Sequence, residues 1–139
     1  MPHAGRLGSV HLLGELGDQP QVTADSTGAV VAVWTRHVRA ASDPQGLRTA
    51  TLRAGAFTRP TTFQQGTVGL PVLASGAAGE TLAAWQSAGR AWLTSRTPTT
   101  PFANATRIGS AGTVALALAA ASDGRAVLVL DHQADTTTS

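Results

Sequence analysis

Apolar residues in this chain come in short runs, each closed by glycine, proline, serine or aspartate, and the arrangement recurs. Residues 20–34 read Pro20-Gln-Val-Thr-Ala-Asp-Ser-Thr-Gly28-Ala-Val-Val-Ala-Val-Trp34. Residues 71–85 read Pro71-Val-Leu-Ala-Ser-Gly-Ala-Ala-Gly79-Glu-Thr-Leu-Ala-Ala-Trp85. A more diverged copy follows as Leu116-Ala-Leu-Ala-Ala-Ala-Ser-Asp-Gly124-Arg-Ala-Val-Leu-Val-Leu130. Gly28 to Gly79 and Trp34 to Trp85 both span 51 positions, and Gly79 to Gly124 and Trp85 to Leu130 both span 45. Each copy is two apolar runs around a turn. Aspartate and serine in residues 25–28 can bond back to local backbone and Gly28 supplies a positive φ, the chemistry of a β-hairpin connection. Ser122-Asp123-Gly124 repeats it, and residues 75–79 are a looser version.

The second run of each hairpin is apolar on both faces. Val31 and Val33 point one way while Val30, Ala32 and Trp34 point the other; the aligned positions are Leu82 and Ala84 against Thr81, Ala83 and Trp85. In the third copy Val127 and Val129 oppose Ala126, Leu128 and Leu130. Strands covered on both sides read as continuous apolar runs of this kind. Residues 114–121 are rich in alanine, the best helix former, but the Ala/Leu alternation over 114–118, between Gly112 and Gly124, favours a strand.

Two more strands follow each tryptophan, at 47–53 and 60–64 and again at 90–96 and 105–108, linked by residues 54–57 and 97–102. Phe57 to Phe102 and Phe63 to Ile108 both span 45 positions. A four-stranded unit at this period predicts an all-β fold of consecutive four-stranded antiparallel β-propeller blades. The layout is an outer strand of a preceding blade at 8–13, blades at 20–64 and 71–108, two strands of a further blade at 114–131, and a loose polar tail at 132–139. Two and a half blades leave the ring incomplete, since closed propellers have about four to eight.

Composition fits this picture and narrows the function classes. Hydrophobic residues make up 42% of the 139 and charged residues only 13%, which argues against a disordered chain. Aromatics are scarce at 4%, which suits thin, closely stacked sheets. All ten basic residues are arginines, spread from Arg6 to Arg125, and the net charge is +2. Nucleic-acid binding needs a clustered basic surface, so it is not expected. There is no cysteine for a disulfide or thiolate metal site. No apolar run reaches the ~18 residues of a membrane span, and the N-terminal residues lack the layout of a signal peptide.

The repeat text, Pro-x-Val-x-Ala-Asp-x-x-Gly-x-x-x-Ala-Val-Trp, then Arg48-Thr-Ala-Thr-Leu-Arg53 and Phe57-Thr-Arg-Pro60, resembles repeats of bacterial secreted, sialidase-like β-propeller proteins over about residues 9 to 131. The resemblance implies a six- or seven-bladed ring, of which this chain is a portion, and a secreted location. It departs from the sialidase Asp-box, Ser-x-Asp-x-Gly-x-x-Trp. Trp34 sits six residues past Gly28 instead of three, and Asp25 and Gly28 are one position too far apart.

Catalytic chemistry finds little support. Sialidases use a tyrosine nucleophile, and the chain has no tyrosine. Arg53 and Arg96, at the ends of third strands, suit a structural role. The eight carboxylates show no spacing that forces a pair together for glycoside hydrolysis. His3, His11, His37 and His132 form no metal-ligand grouping, so neither metal nor cofactor is expected. Gly28, Gly79 and Gly124 are turn glycines of the repeat, and Trp34 and Trp85 are packing residues between blades. One segment breaks the repeat. The first unit carries Arg36-His37-Val-Arg39-Ala-Ala-Ser-Asp43-Pro-Gln-Gly46 where the second has only Gln86-Ser-Ala-Gly89. Insertions on a repeat scaffold fall on loops of one face, often the binding face. Arg36, His37, Arg39 and Asp43 are therefore the candidate binding residues, with chemistry suited to an anionic group or a sugar. The expected function is a non-enzymatic binding or interaction scaffold, partnered by self-association, by further blades of a longer chain, or by a glycan or protein ligand. The alternative is a fragment of a larger secreted glycan-active propeller enzyme whose catalytic residues lie elsewhere.

Overall fold

Period-2 apolar runs between glycine-bearing turns fold as antiparallel strands, and the described chain contains no helix. The structure, a computed structural model, describes residues 17–37, 44–109, 112–121, 123 and 125–132. Among the described residues eleven strands run β1 (Gly17–Ala24), β2 (Val30–His37), β3 (Pro44–Arg53), β4 (Ala56–Phe57), β5 (Thr61–Gln65), β6 (Gly69–Ser75), β7 (Thr81–Ser87), β8 (Arg90–Arg96), β9 (Thr106–Ile108), β10 (Thr113–Ala120) and β11 (Ala126–His132).

They form three antiparallel sheets. In the first, β1, β2 and β3 pair in order, and both β4 and β5 pair with β3. The second runs β6-β7-β8-β9, and the third is the β10-β11 hairpin. The strand expected at 8–13 lies outside the described residues. The segment weighed as helix or strand is strand β10, and β11 extends to His132. Residues 54–57, expected as a simple link, instead make a tight hairpin. Arg53 pairs with Ala56, and Ala54 and Gly55 both take positive φ, 49° and 80°. A two-residue loop with both φ positive matches the twist of the flanking strands. Ala88 and Gly89 repeat the device between β7 and β8.

The sheets stack in chain order. β6 lies against β1 on one side and β10 on the other. Thr23 and Ser75, one on each first strand, share a hydroxyl–hydroxyl hydrogen bond of 2.9 Å. Between the first and second sheets, Val33, Leu47, Val68, Ala83 and Trp85 form a buried cluster, joined by Phe63, Leu73, Trp92 and Phe102. Phe63 meets Trp85 edge-on at 5.9 Å and stacks on Phe102 at 4.5 Å, both favourable ring arrangements. Between the second sheet and the β10-β11 hairpin lie Ala84 and Ala91 with Val72, Leu93, Leu118, Leu128 and Leu130. Ala32, Trp34 and Ala50 form a third cluster, with Phe57.

Side-chain direction follows the repeat. Trp85 faces the first sheet and Leu130, its counterpart, faces the second. Trp34 lies on the side of its sheet away from Val33 and Leu47. The both-faces expectation holds for β2, where Val31 and Val33 are 0% exposed. In β11, at the end of the described stack, Val127 and Val129 are 61% and 50% exposed. The difference follows from the neighbours: β2 has the second sheet on its Val33 side, whereas among the described residues no sheet lies on the Val127 side of β11.

Candidate functional site

The first turn of each sheet brings its strand ends to one edge of the stack, and the three turns line a shared open groove. Its walls are residues 24–26, 75–77 and 120–121, enclosing about 310 Å³. These are the same repeat positions three times over, so stacking alone builds the groove.

The turns close alike but carry their acids differently. Asp25 N–H donates to the Ala29 carbonyl at 2.8 Å, as Gly76 does to Glu80 and Ala121 to Arg125. In the first turn the Asp25 Oδ1 accepts from the backbone N–H of Thr27 at 2.9 Å and of Ala29 at 3.1 Å, and from the Thr27 hydroxyl. These donors hold the Asp25 carboxyl below its ordinary value, the Thr27 hydroxyl foremost, against the opposing effect of burial. In the second turn the corresponding residue is Gly76. A Cβ there would run into the carboxylate of Glu80, which therefore occupies the space of the missing aspartate side chain. In the third, Asp123 accepts from the Arg125 N–H at 3.0 Å and its carboxylate lies 3.5 Å from that guanidinium. Each turn keeps one carboxylate from a different sequence position.

Behind the groove, two arginines meet between the first two sheets. Opposite Val30 sits Leu52, whereas opposite the corresponding Thr81 sits Arg96, so Arg53 lies one place further along its strand than Arg96 does. That offset turns the two onto opposite faces of their own sheets and hence into one space. Arg53 donates to the Pro98 carbonyl at 2.7 Å and lies 4.0 Å from Asp25 Oδ2. Arg96 donates to the Thr51 hydroxyl at 2.9 Å and sits 5.8 Å over the Phe102 ring. Burial, then the neighbouring Arg53 charge, lowers the Arg96 pKa from its ordinary value. Each arginine ties its own sheet to the other, as the structural role expected for them requires.

Of the expected binding loop, the structure describes only Arg36 and His37. Arg36 is exposed on β2 opposite Gly17, and His37 is half-buried opposite Pro44. Arg39 and Asp43 lie outside the described residues, as does Gly124. Gly28 and Gly79 are turn glycines, with φ of 84° and 87°. Gly79 is also approached closely. A Cβ there would lie 2.9 Å from Pro98 and 3.0 Å from the Ser26 hydroxyl, which is where the first two turns touch. Trp34 and Trp85 are both buried.

Sequence reasoning missed the groove and the Glu80 substitution. The one available signal was that glycine replaces aspartate at position 76 exactly four residues before a glutamate. Among the described residues, no three His, Asp or Glu side chains gather closely enough to hold a metal ion, and no helix is long and apolar enough to cross a membrane. No protein family and no curated protein matches this chain.

Proposed function

We propose that the chain is a portion of a β-propeller that works as a non-enzymatic binding and assembly scaffold. What supports this most is the stacking of three sheets in chain order, with the Trp85 and Leu130 positions each directed at the preceding sheet. Four-stranded antiparallel units at this period are the composition of propeller blades. In stacked repeats each unit relies on its neighbours to cover its faces, which is how such scaffolds assemble. The polar groups near the groove are engaged in holding turns and sheets, and a rigid, internally satisfied edge suits binding better than proton transfer.

The test is solution mass by light scattering across a wide range of protein concentrations. A defined oligomer supports the scaffold reading. A monodisperse monomer that unfolds cooperatively at every concentration overturns it.

A further inference from the structure

Charge is segregated across the stack. Residues 44–79 and 88–109, which include β3, β4, β5, β8 and β9, carry six arginines and no aspartate or glutamate. The carboxylates of the described residues lie on β1, on the first turn of each sheet and on β11, at Asp18, Asp25, Glu80, Asp123 and Asp131. Because β6 lies against both β1 and β10, the first strands share one side of the stack. The third and fourth strands lie on the other. Arginines that are spread along the sequence are thus gathered by the fold. None of the six is a demand of the repeat. The positions 45 after Arg48, Arg53 and Arg59 are Leu93, Pro98 and Asn104, and those 45 before Arg90, Arg96 and Arg107 are Gln45, Thr51 and Thr62.

Four of them open on one cleft. Trp92 packs between the first two sheets. Arg90 and Arg96 share its face of β8 by alternation, and Arg107 of β9 is paired with it. Arg53 enters the same space from the first sheet and lies 4.0 Å from Asp25, the one carboxylate that any of the six meets among the described residues. Arg59 and Arg107 are exposed, and among the described residues no hydrogen bond or ion pair engages them. From Arg90 to Arg96 the row is about 20 Å long, at ~3.3 Å per strand residue.

We propose that this outer surface binds the phosphate backbone of a nucleic-acid duplex without reading its sequence. The inference goes beyond the assembly reading and stands whether or not copies of the chain associate. The surface itself selects the partner. Every cation is an arginine, whose planar fork meets phosphate oxygens in pairs. The exposed large apolar side chains, Val22, Val127 and Val129, all lie off these strands, so the surface lacks the apolar centre of a protein interface. Phe63, Trp92 and Phe102 are packed against the core, which takes them from the stacking role that unpaired bases require. Exposed Thr61, Gln65, Asn104 and Thr106 add the neutral donors that also meet phosphates. A row about 20 Å long covers roughly six base pairs of backbone at about 3.4 Å each. Contacts of this kind bind weakly, at about 10⁻⁴–10⁻⁶ M at physiological salt.

The experiment is fluorescence anisotropy of a labelled mixed-sequence DNA duplex titrated with the full chain, with Arg59→Gln/Arg107→Gln and with Arg125→Gln. Each protein is first checked for native β content by circular dichroism. All three substituted side chains are exposed, so the fold should survive. The wild-type chain is expected to bind and to lose roughly 40-fold in affinity between about 50 and 200 mM salt, the dependence of three phosphate contacts. The double variant should bind at least about 10-fold more weakly at low salt, with a log–log salt slope shallower by about 2, whereas Arg125→Gln should match wild type. No binding by the wild-type chain at low salt would overturn the proposal. An equal loss in Arg125→Gln would also overturn it, since the attraction would then belong to net charge and not to this surface. Displacement of the duplex by polyglutamate or polygalacturonate at lower charge concentration than by unlabelled duplex would overturn it in favour of an acidic protein or an acidic polysaccharide. None of these outcomes bears on the light-scattering test of assembly.

Discussion

The two inter-sheet contacts of this molecule are made from the same repeat, yet they differ in filling and in closure. Between the first and second sheets, Trp85 is sandwiched among Val33, Leu47 and Phe63, and two arginines cross-tie the polar end. Between the second sheet and the β10-β11 hairpin, Leu130 takes the tryptophan's place, alanines and leucines fill the space, and no aromatic joins them. The first contact lies between sheets of four strands or more, while the second has only two strands on one side. Repeat position therefore sets which way a side chain points. How much that side chain stabilises depends on its size and on what closes over it.

The sharpest way to break the comparison is truncation on each side. Trp85→Ala is expected to cost about 3–5 kcal/mol, the range for large aromatic deletions from a core, whereas Leu128→Ala should cost about 2 kcal/mol because its site is half-open. Urea titration followed by circular dichroism measures both, and equal losses would erase the distinction. Trp85→Phe should cost much less than Trp85→Ala. Phenylalanine keeps most of the buried ring and removes an indole N–H that is buried with no acceptor.

The turns offer a second comparison. Gly79→Ala should cost about 2–3 kcal/mol, since a left-handed backbone is combined with a close approach to Pro98 and Ser26. Gly28→Ala has the same backbone with open space around it, and should cost about 1 kcal/mol. The same titrations decide whether the extra loss at Gly79 reports the contact between turns.

Transplanting the first turn onto the second tests the exchanged carboxylate. Gly76→Asp alone should destabilise by about 1–3 kcal/mol because the Glu80 side chain holds that space. Combining it with Glu80→Ala recreates the Asp25 and Ala29 pattern and should recover at least about 1 kcal/mol of the loss. Strict additivity of the two substitutions would contradict the exchange.

Asp25→Asn should cost no more than Gly28→Ala, about 1 kcal/mol at neutral pH, from weakened acceptor bonds. Its pH dependence is more telling. Folding lowers the Asp25 pKa from the ordinary 3.8, so the stability it contributes is present above that value and is lost as pH falls through the folded one. The variant's stability should therefore fall less steeply than wild type's on the acid side, as read from denaturation midpoints.

Much of this fold was legible because period-2 runs and glycine turns are local signals. The 51 and 45 spacings placed strands within a few residues of β1 to β3 and β5 to β11. The Ala54-Gly55 turn was not legible, since it lacks the asparagine or aspartate that usually announces a two-residue hairpin. Nor was the role of Glu80, which appears only when its side chain is seen folded over Gly76. The exposure of Val127 and Val129 is not written in their own strand, whose pattern matches that of β2, because coverage is a property of neighbours. At the candidate site, the structural use of Asp25 and Arg53 was readable from turn chemistry and strand ends. The shared groove was not, because it exists only once three turns are stacked.

The account turns on a stack whose first contact is closed and whose last is open, and native-state hydrogen exchange at low protein concentration tests that directly. Amides of β2, β3, β7 and β8 should exchange slowest and together, with β10 and β11 opening at clearly lower free energy. Protection of β11 equal to that of β7 would contradict it.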